Sequence, residues 1–240
     1  MPSRKIFIAV VAVLAVTMWL STIVLGTPWC IVDNPANSNP EAAWSNSTGG
    51  SSDILYSYLD GASWAEEVAI AEDGANGVSP SIVIDGSGNR TIAWQSSDSP
   101  ARIELSSKLY SGGSWSSAVV VSDTDESSRA PSAAIFDGYV WVAYEVVPSS
   151  GGRTVKVAKG DEGSGFPRTT VRTSSSTDPL EVLLHSESGH LWVEWIDEAG
   201  VLGWSELVDD EWTSMDTQSF ESEEGLKLAR DLVRVSVLGL

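Results

Sequence analysis

Three kinds of landmark return along this chain about every 50 residues, and that period limits its fold more than any other feature. The aromatic that closes a small turn falls at Trp64, Trp115, Phe166 and Trp212, with gaps of 51, 51 and 46 residues. The aromatic that ends a β-like run falls at Trp44, Trp94, Tyr144 and Trp195, with gaps of 50, 50 and 51. A proline opens successive units at Pro80, Pro131 and Pro179, with gaps of 51 and 48. Such a period marks units that bury their faces only against their neighbours.

The unit from Pro80 to Ser122 is the clearest. Ser81–Ile84 is a short apolar run, and Asp85–Asn89 supplies turn chemistry. Thr91–Trp94 is a second strand. Arg102–Ser106 alternates polar and apolar, as a half-exposed strand does. A glycine-rich turn at 110–115 leads to a fourth strand at Ala118–Val121. Four short strands joined by tight turns make one antiparallel blade. The next unit places strands at 132–136, 139–145, 154–159 and 168–173, and the one after at 181–185, 191–196, 201–206 and 212–217. An N-terminal unit supplies 42–44, 54–58 and 68–71. Its inner strand has two candidates. One is Ile31–Asp33. The other is 232–237, which would close a ring and remove exposed sheet edges, although 226–233 also fits helical spacing. The predicted fold is all-β: a propeller of about four blades of four antiparallel strands, either closed by the C-terminal strand or completed by oligomerisation. Trp64, Trp94, Trp115 and Trp195 are its expected core tryptophans.

Residues 6–25 carry no charge and follow Arg4 and Lys5. They read as a signal peptide or a membrane anchor. The expected division is 1–30 as leader and 31–240 as repeat domain, secreted or anchored outside the cytoplasm. Cys30 is the only cysteine, so no intrachain disulfide holds the fold. The net charge is −19. Such a field repels phosphates, so a nucleic acid partner is disfavoured, and a membrane enters only through the N-terminal segment.

The order Pro-Ser-apolar-Asp-Gly, a strand ending in Trp, then Gly-Gly-x-Trp resembles the sialidase-like β-propellers with Asp-box, or bacterial neuraminidase, repeats. The resemblance covers about residues 41–217. The Asp-box pattern Ser-x-Asp-x-Gly-x-x-Trp is degenerate here. Ser57, Gly61 and Trp64 match at one turn, with Leu59 in place of Asp. Asp161, Gly163 and Phe166 match at another, Gly112 and Trp115 at a third, and Trp212 alone at a fourth. These residues stabilise turns. The resemblance implies three arginines gripping a substrate carboxylate, a tyrosine–glutamate nucleophile and an acid aspartate. No arginine here sits in the family's Phe/Tyr-Arg-Ile-Pro context.

Glu194 is the oddest acid, because it stands where Ala93 and Ala143 stand in preceding units; if buried, its pKa rises. His185 and His190 bracket a turn and face each other across a hairpin, without the ligand spacing of a zinc site. The loops between strands 2 and 3, and between blades, gather Asp98, Asp123, Asp125 and Asp197. These four and Glu194 are the candidate binding residues. Calcium is the one cofactor the acidic loops suggest, and no catalytic set is legible. The expected function is an exported, non-catalytic binding module for a carbohydrate or protein ligand. A degenerate sialidase-like glycoside hydrolase and a structural surface component are the alternatives.

Overall fold

The computed structural model describes residues 29–48, 51–70, 77–96, 99–160, 165–173, 179–197, 201–213 and 216–219. The described chain is all β, in four antiparallel sheets that follow the sequence order. Blade 1 holds β1 (Trp29–Asp33), β2 (Pro40–Thr48) and β3 (Ser51–Asp60), with the two-residue β4 (Ser63–Trp64) and β5 (Val68–Ala69) both pairing β3. Blade 2 is β6 (Gly77–Ile84), β7 (Arg90–Ser96), β8 (Ile103–Lys108) and β9 (Val119–Val120). Blade 3 is β10 (Ser127–Phe136), β11 (Tyr139–Val147), β12 (Thr154–Gly160) and β13 (Arg168–Thr173). Blade 4 is β14 (Pro179–Glu187), β15 (His190–Asp197) and β16 (Val201–Val208), edged by β17 (Glu211–Trp212) and β18 (Asp216–Ser219).

Four blades of four-stranded type match the expectation, with local differences. β1 begins at Trp29, so Trp29 and Cys30 are part of blade 1. β1 also fills the inner position of blade 1, as the first candidate proposed; 232–237 lies outside the described residues. Pro80 and Pro131 do not open their strands. They lie inside β6 and β10, at bulges between Val78 and Ser81 and between Arg129 and Ser132. A bulge spares the ladder the hydrogen bond a proline cannot donate. The outer strands of blades 1 and 4 are split in two, where one strand apiece was expected. The hairpin turns at Asp137–Gly138 and Ser188–Gly189 have positive φ at both residues, the backbone that matches strand twist in two-residue hairpins.

The core lies between the blades. One apolar cluster joins blades 1 and 2 through Ile54, Tyr56, Ile92 and Trp94. A second joins blades 2 and 3 through Leu105, Val142 and Tyr144. A third joins blades 3 and 4 through Trp141, Val193 and Trp195. Trp94 and Trp195 are fully buried, as expected, but Trp64 and Trp115 are only half-buried. They close turns whose preceding residues are exposed.

A side-chain hook repeats at each seam. Cys30 pairs Ala43 across blade 1, Ser81 pairs Ala93 across blade 2, and Ser132 pairs Ala143 across blade 3. Each small pair lets the next inner strand come close. The Ile82 backbone bonds the Cys30 thiol, Ala133 N–H donates to Ser81 Oγ at 3.0 Å, and Leu184 N–H donates to Ser132 Oγ at 2.9 Å. Each acceptor is satisfied by a residue 52 positions on. In blade 4 the same register pairs Leu183 with Glu194, and the hook ends. Among the described residues, no strand of blade 4 packs on blade 1 to the extent that successive blades pack on each other.

Candidate functional site

The turns that join strands 1 to 2 and 3 to 4 lie at one end of the array, here the hairpin end. The remaining connections lie at the opposite loop end. An enclosed polar cluster sits at the hairpin end of the blade 1–2 seam. Glu41, at the start of β2, is fully buried. Arg90, at the start of β7, grips it with Nε to Oε2 at 2.8 Å and a terminal guanidinium nitrogen to Oε1 at 2.7 Å. Asn34 Nδ2 donates to Oε1 at 2.6 Å and the Tyr56 hydroxyl to Oε2 at 2.6 Å. Arg90 also lies over the Tyr110 ring, 5.2 Å from its centroid. Burial works against the Arg90 charge, but its hydrogen bonds and charge interactions with Glu41 and Tyr56 together outweigh that and raise its pKa. Burial, reinforced by Glu41, pushes the Tyr56 phenol well up.

Glu41, Tyr56 and Arg90 were not legible as a unit, because 49 residues separate Glu41 from Arg90. The Glu41–Arg90 spacing of about one repeat was the only available signal. They are also the residue types of a tyrosine–glutamate nucleophile with an arginine. Here that set is sealed inside a seam, with every Glu41 oxygen engaged.

At the loop end, Asp123 follows β9 and faces blade 3. Lys156 Nζ bonds Asp123 Oδ2 at 2.8 Å and Glu126 Oε2 at 2.7 Å. Arg168 donates to the carbonyls of Val121 and Ser122 at 2.6 and 3.1 Å, and lies 3.4 Å from Asp123. The Lys156 hydrogen bond is the main cause that holds the Asp123 carboxyl below its usual range. Burial pushes the neighbouring Tyr144 phenol up to about 12, and its hydroxyl has no hydrogen-bond partner among the described residues. A cation at Asp123 would have to compete with Lys156. Asp125 is exposed two residues on. Asp98 lies outside the described residues. Asp197 ends β15 opposite Pro179, and its side chain is likewise outside them. The structure therefore places Asp123 and Asp125 on one loop and does not join them to Glu194. Among the described residues, no three His, Cys, Asp or Glu side chains are grouped to hold a metal ion.

Glu194 projects from the face of blade 4 turned away from blade 3, since Val193 and Trp195 fill the seam. Its cross-strand neighbours are Leu183 and Trp204. Burial raises its pKa, and His185 on the same face draws it partly back. Trp195, next in sequence, lies on the opposite face through strand alternation. The two histidines do not face each other. His185 pairs Trp192 in register, while His190 pairs Glu187, stacks on Trp192 and contacts the Glu206 carboxylate.

The degenerate turn motifs work through serines. Ser57 Oγ donates to Ala65 O, Ser106 Oγ to Ser116 O and Ser205 Oγ to Thr213 O, each at 2.8 Å. Blade 4 thus keeps the serine clip where the sequence reading found only Trp212.

Comparison with known proteins is consistent with this architecture. No protein-family model and no curated protein matches the chain. Solved structures match in fold. A protein of unknown function from Dyadobacter fermentans superposes with a TM-score of 0.65 at 11% identity, over 81% of this chain and 69% of that one. The NanB sialidase of Streptococcus pneumoniae gives 0.59 at 8% identity, over 83% of this chain and 52% of its own. A polysaccharide lyase, an ulvan lyase, gives 0.56 at 9% identity, over 80% and 58%. The chain spans about half the length of the sialidase and somewhat more of the lyase. What it is similar to, in fold, is the sialidase-like β-propeller.

Proposed function

We propose that this protein is an exported, non-catalytic binding module whose ligand is a carbohydrate. The observation that carries the reading is the way its acids are used. Glu41 binds Arg90 across one seam, and Asp123 binds Lys156 and Arg168 across the next. These carboxylates hold blades together and do not oppose each other across a cleft, as glycoside hydrolysis would need. The sialidase and the ulvan lyase among its fold neighbours favour carbohydrate as the ligand class. Export rests on the charged start and the uncharged run at 6–25, which lies outside the described residues. Among the described residues no helix is long and apolar enough to cross a membrane.

One observation favours a second reading. Glu194 is a half-buried acid with a raised pKa, the property of a general acid. A glycan array run beside a hydrolysis screen on the full chain separates the two. Binding without turnover is expected. Turnover of any glycoside that Glu194→Gln abolishes would establish the hydrolase instead. No binding to any glycan would remove carbohydrate as the ligand.

A further inference from the structure

At the hairpin end, the molecule twice uses one device: an aromatic surface beside a carboxylate, holding a cation. Arg90 lies over Tyr110 and binds Glu41. Lys159 lies over Tyr139 and Trp141, 4.7 and 5.0 Å from their centroids, with its ammonium 3.4 Å from Asp210. The same elements recur in a groove of about 490 Å3 between the β10–β11 and β14–β15 turns. Ile135 and Phe136 give it apolar surface, while Asp137 and Glu187 bring a carboxylate from each turn. Ser186 Oγ donates to Ile135 O at 2.9 Å and ties the two turns together across the seam. No lysine or arginine is among the groove's described lining residues.

We infer that this groove docks a basic segment of a protein partner, taking a lysine or arginine stem on Phe136 and its charged head between Asp137 and Glu187. Long basic side chains lay their methylenes on apolar surface and keep the cation at a polar rim. The net charge of −19 draws such a partner in and rejects acidic ones. This site is separate from the carbohydrate reading and stands or falls without it.

Hexalysine is the probe, titrated into the full-length protein at low and moderate salt, with hexaglutamate as the opposite charge. Asp137→Asn with Glu187→Gln removes the two carboxylates. Asn tolerates the positive φ of position 137, so the fold should survive, and an unchanged melting curve verifies it. The control pair Glu66→Gln with Glu67→Gln removes the same charge from exposed positions on blade 1. The groove pair is expected to weaken hexalysine about tenfold, and the control pair much less. Phe136→Leu should weaken it too, with amide shifts in the wild type centred on 135–137 and 186–189. Equal losses from both pairs would mean a diffuse field and overturn the inference. So would unchanged affinity in the groove pair, or a neutral oligosaccharide that shifts the groove amides where hexalysine does not.

Discussion

A single repeat position shows how far one residue's role depends on its neighbours. The strand-ending aromatics Trp94, Tyr144 and Trp195 have no exposed surface, whereas Trp44 of blade 1 is half-buried. Replacing Trp94 with Ala should cost about 3–5 kcal/mol, read from urea unfolding. Trp64→Ala should cost clearly less, because that ring is half-open; equal losses would refute the distinction between seam and turn aromatics. Two acids carry opposite pH signatures. The folded pKa of Asp123 is depressed, so its contribution is present above the unfolded value near 3.8 and lost as pH falls through the folded one. Asp123→Asn should therefore remove part of the acid sensitivity of the urea midpoint. The folded pKa of Glu194 is raised above its ordinary 4.5. The native state then holds that proton more tightly than the unfolded chain, and stability falls as pH rises through this window. Glu194→Gln should flatten that fall, and a steeper profile in the variant would contradict the assignment.

Elements are joined by recurring polar contacts as well as by apolar faces. The hook series Cys30, Ser81 and Ser132 satisfies a backbone N–H of each following inner strand. Ser132→Ala leaves the Leu184 N–H buried without that acceptor and should cost about 1–3 kcal/mol. Ser81→Ala should act similarly at its own seam, and the double variant should be additive, because the hooks are different contacts. A double loss well below the sum would mean the seams are not independent. Repeat spacing revealed that blades exist and where their strands run. It did not reveal the hooks, because a serine in a strand reads the same whether it faces water or a neighbouring backbone. The prolines misled for a related reason. Their spacing was real, but bulges let a proline lie within an inner strand.

Across the whole molecule, the seams are closed by apolar clusters and by long-range ion pairs such as Glu41–Arg90. Glu41→Gln should destabilise by about 3–5 kcal/mol, since the buried Arg90 guanidinium loses its counter-charge. Export predicts that protease added to intact cells degrades the repeat region; a protected repeat region would refute it. Periodicity alone determined the all-β class, the number of blades and most strand positions, because a strand's apolar alternation and its turn residues are local properties. Charge and cysteine content likewise set the expectation against a nucleic acid partner and ruled out a disulfide framework. What each acid does was decided only by tertiary structure. Asp123 in the sequence is one acid in a polar loop, and the fold makes it the partner of Lys156 and Arg168 from the next blade. Glu41 showed no sign of function in the sequence, yet both its carboxylate oxygens are bonded inside a seam. Ion pairing and burial depend on distances between residues tens of positions apart. The sequence encodes those distances only through the stacking of blades.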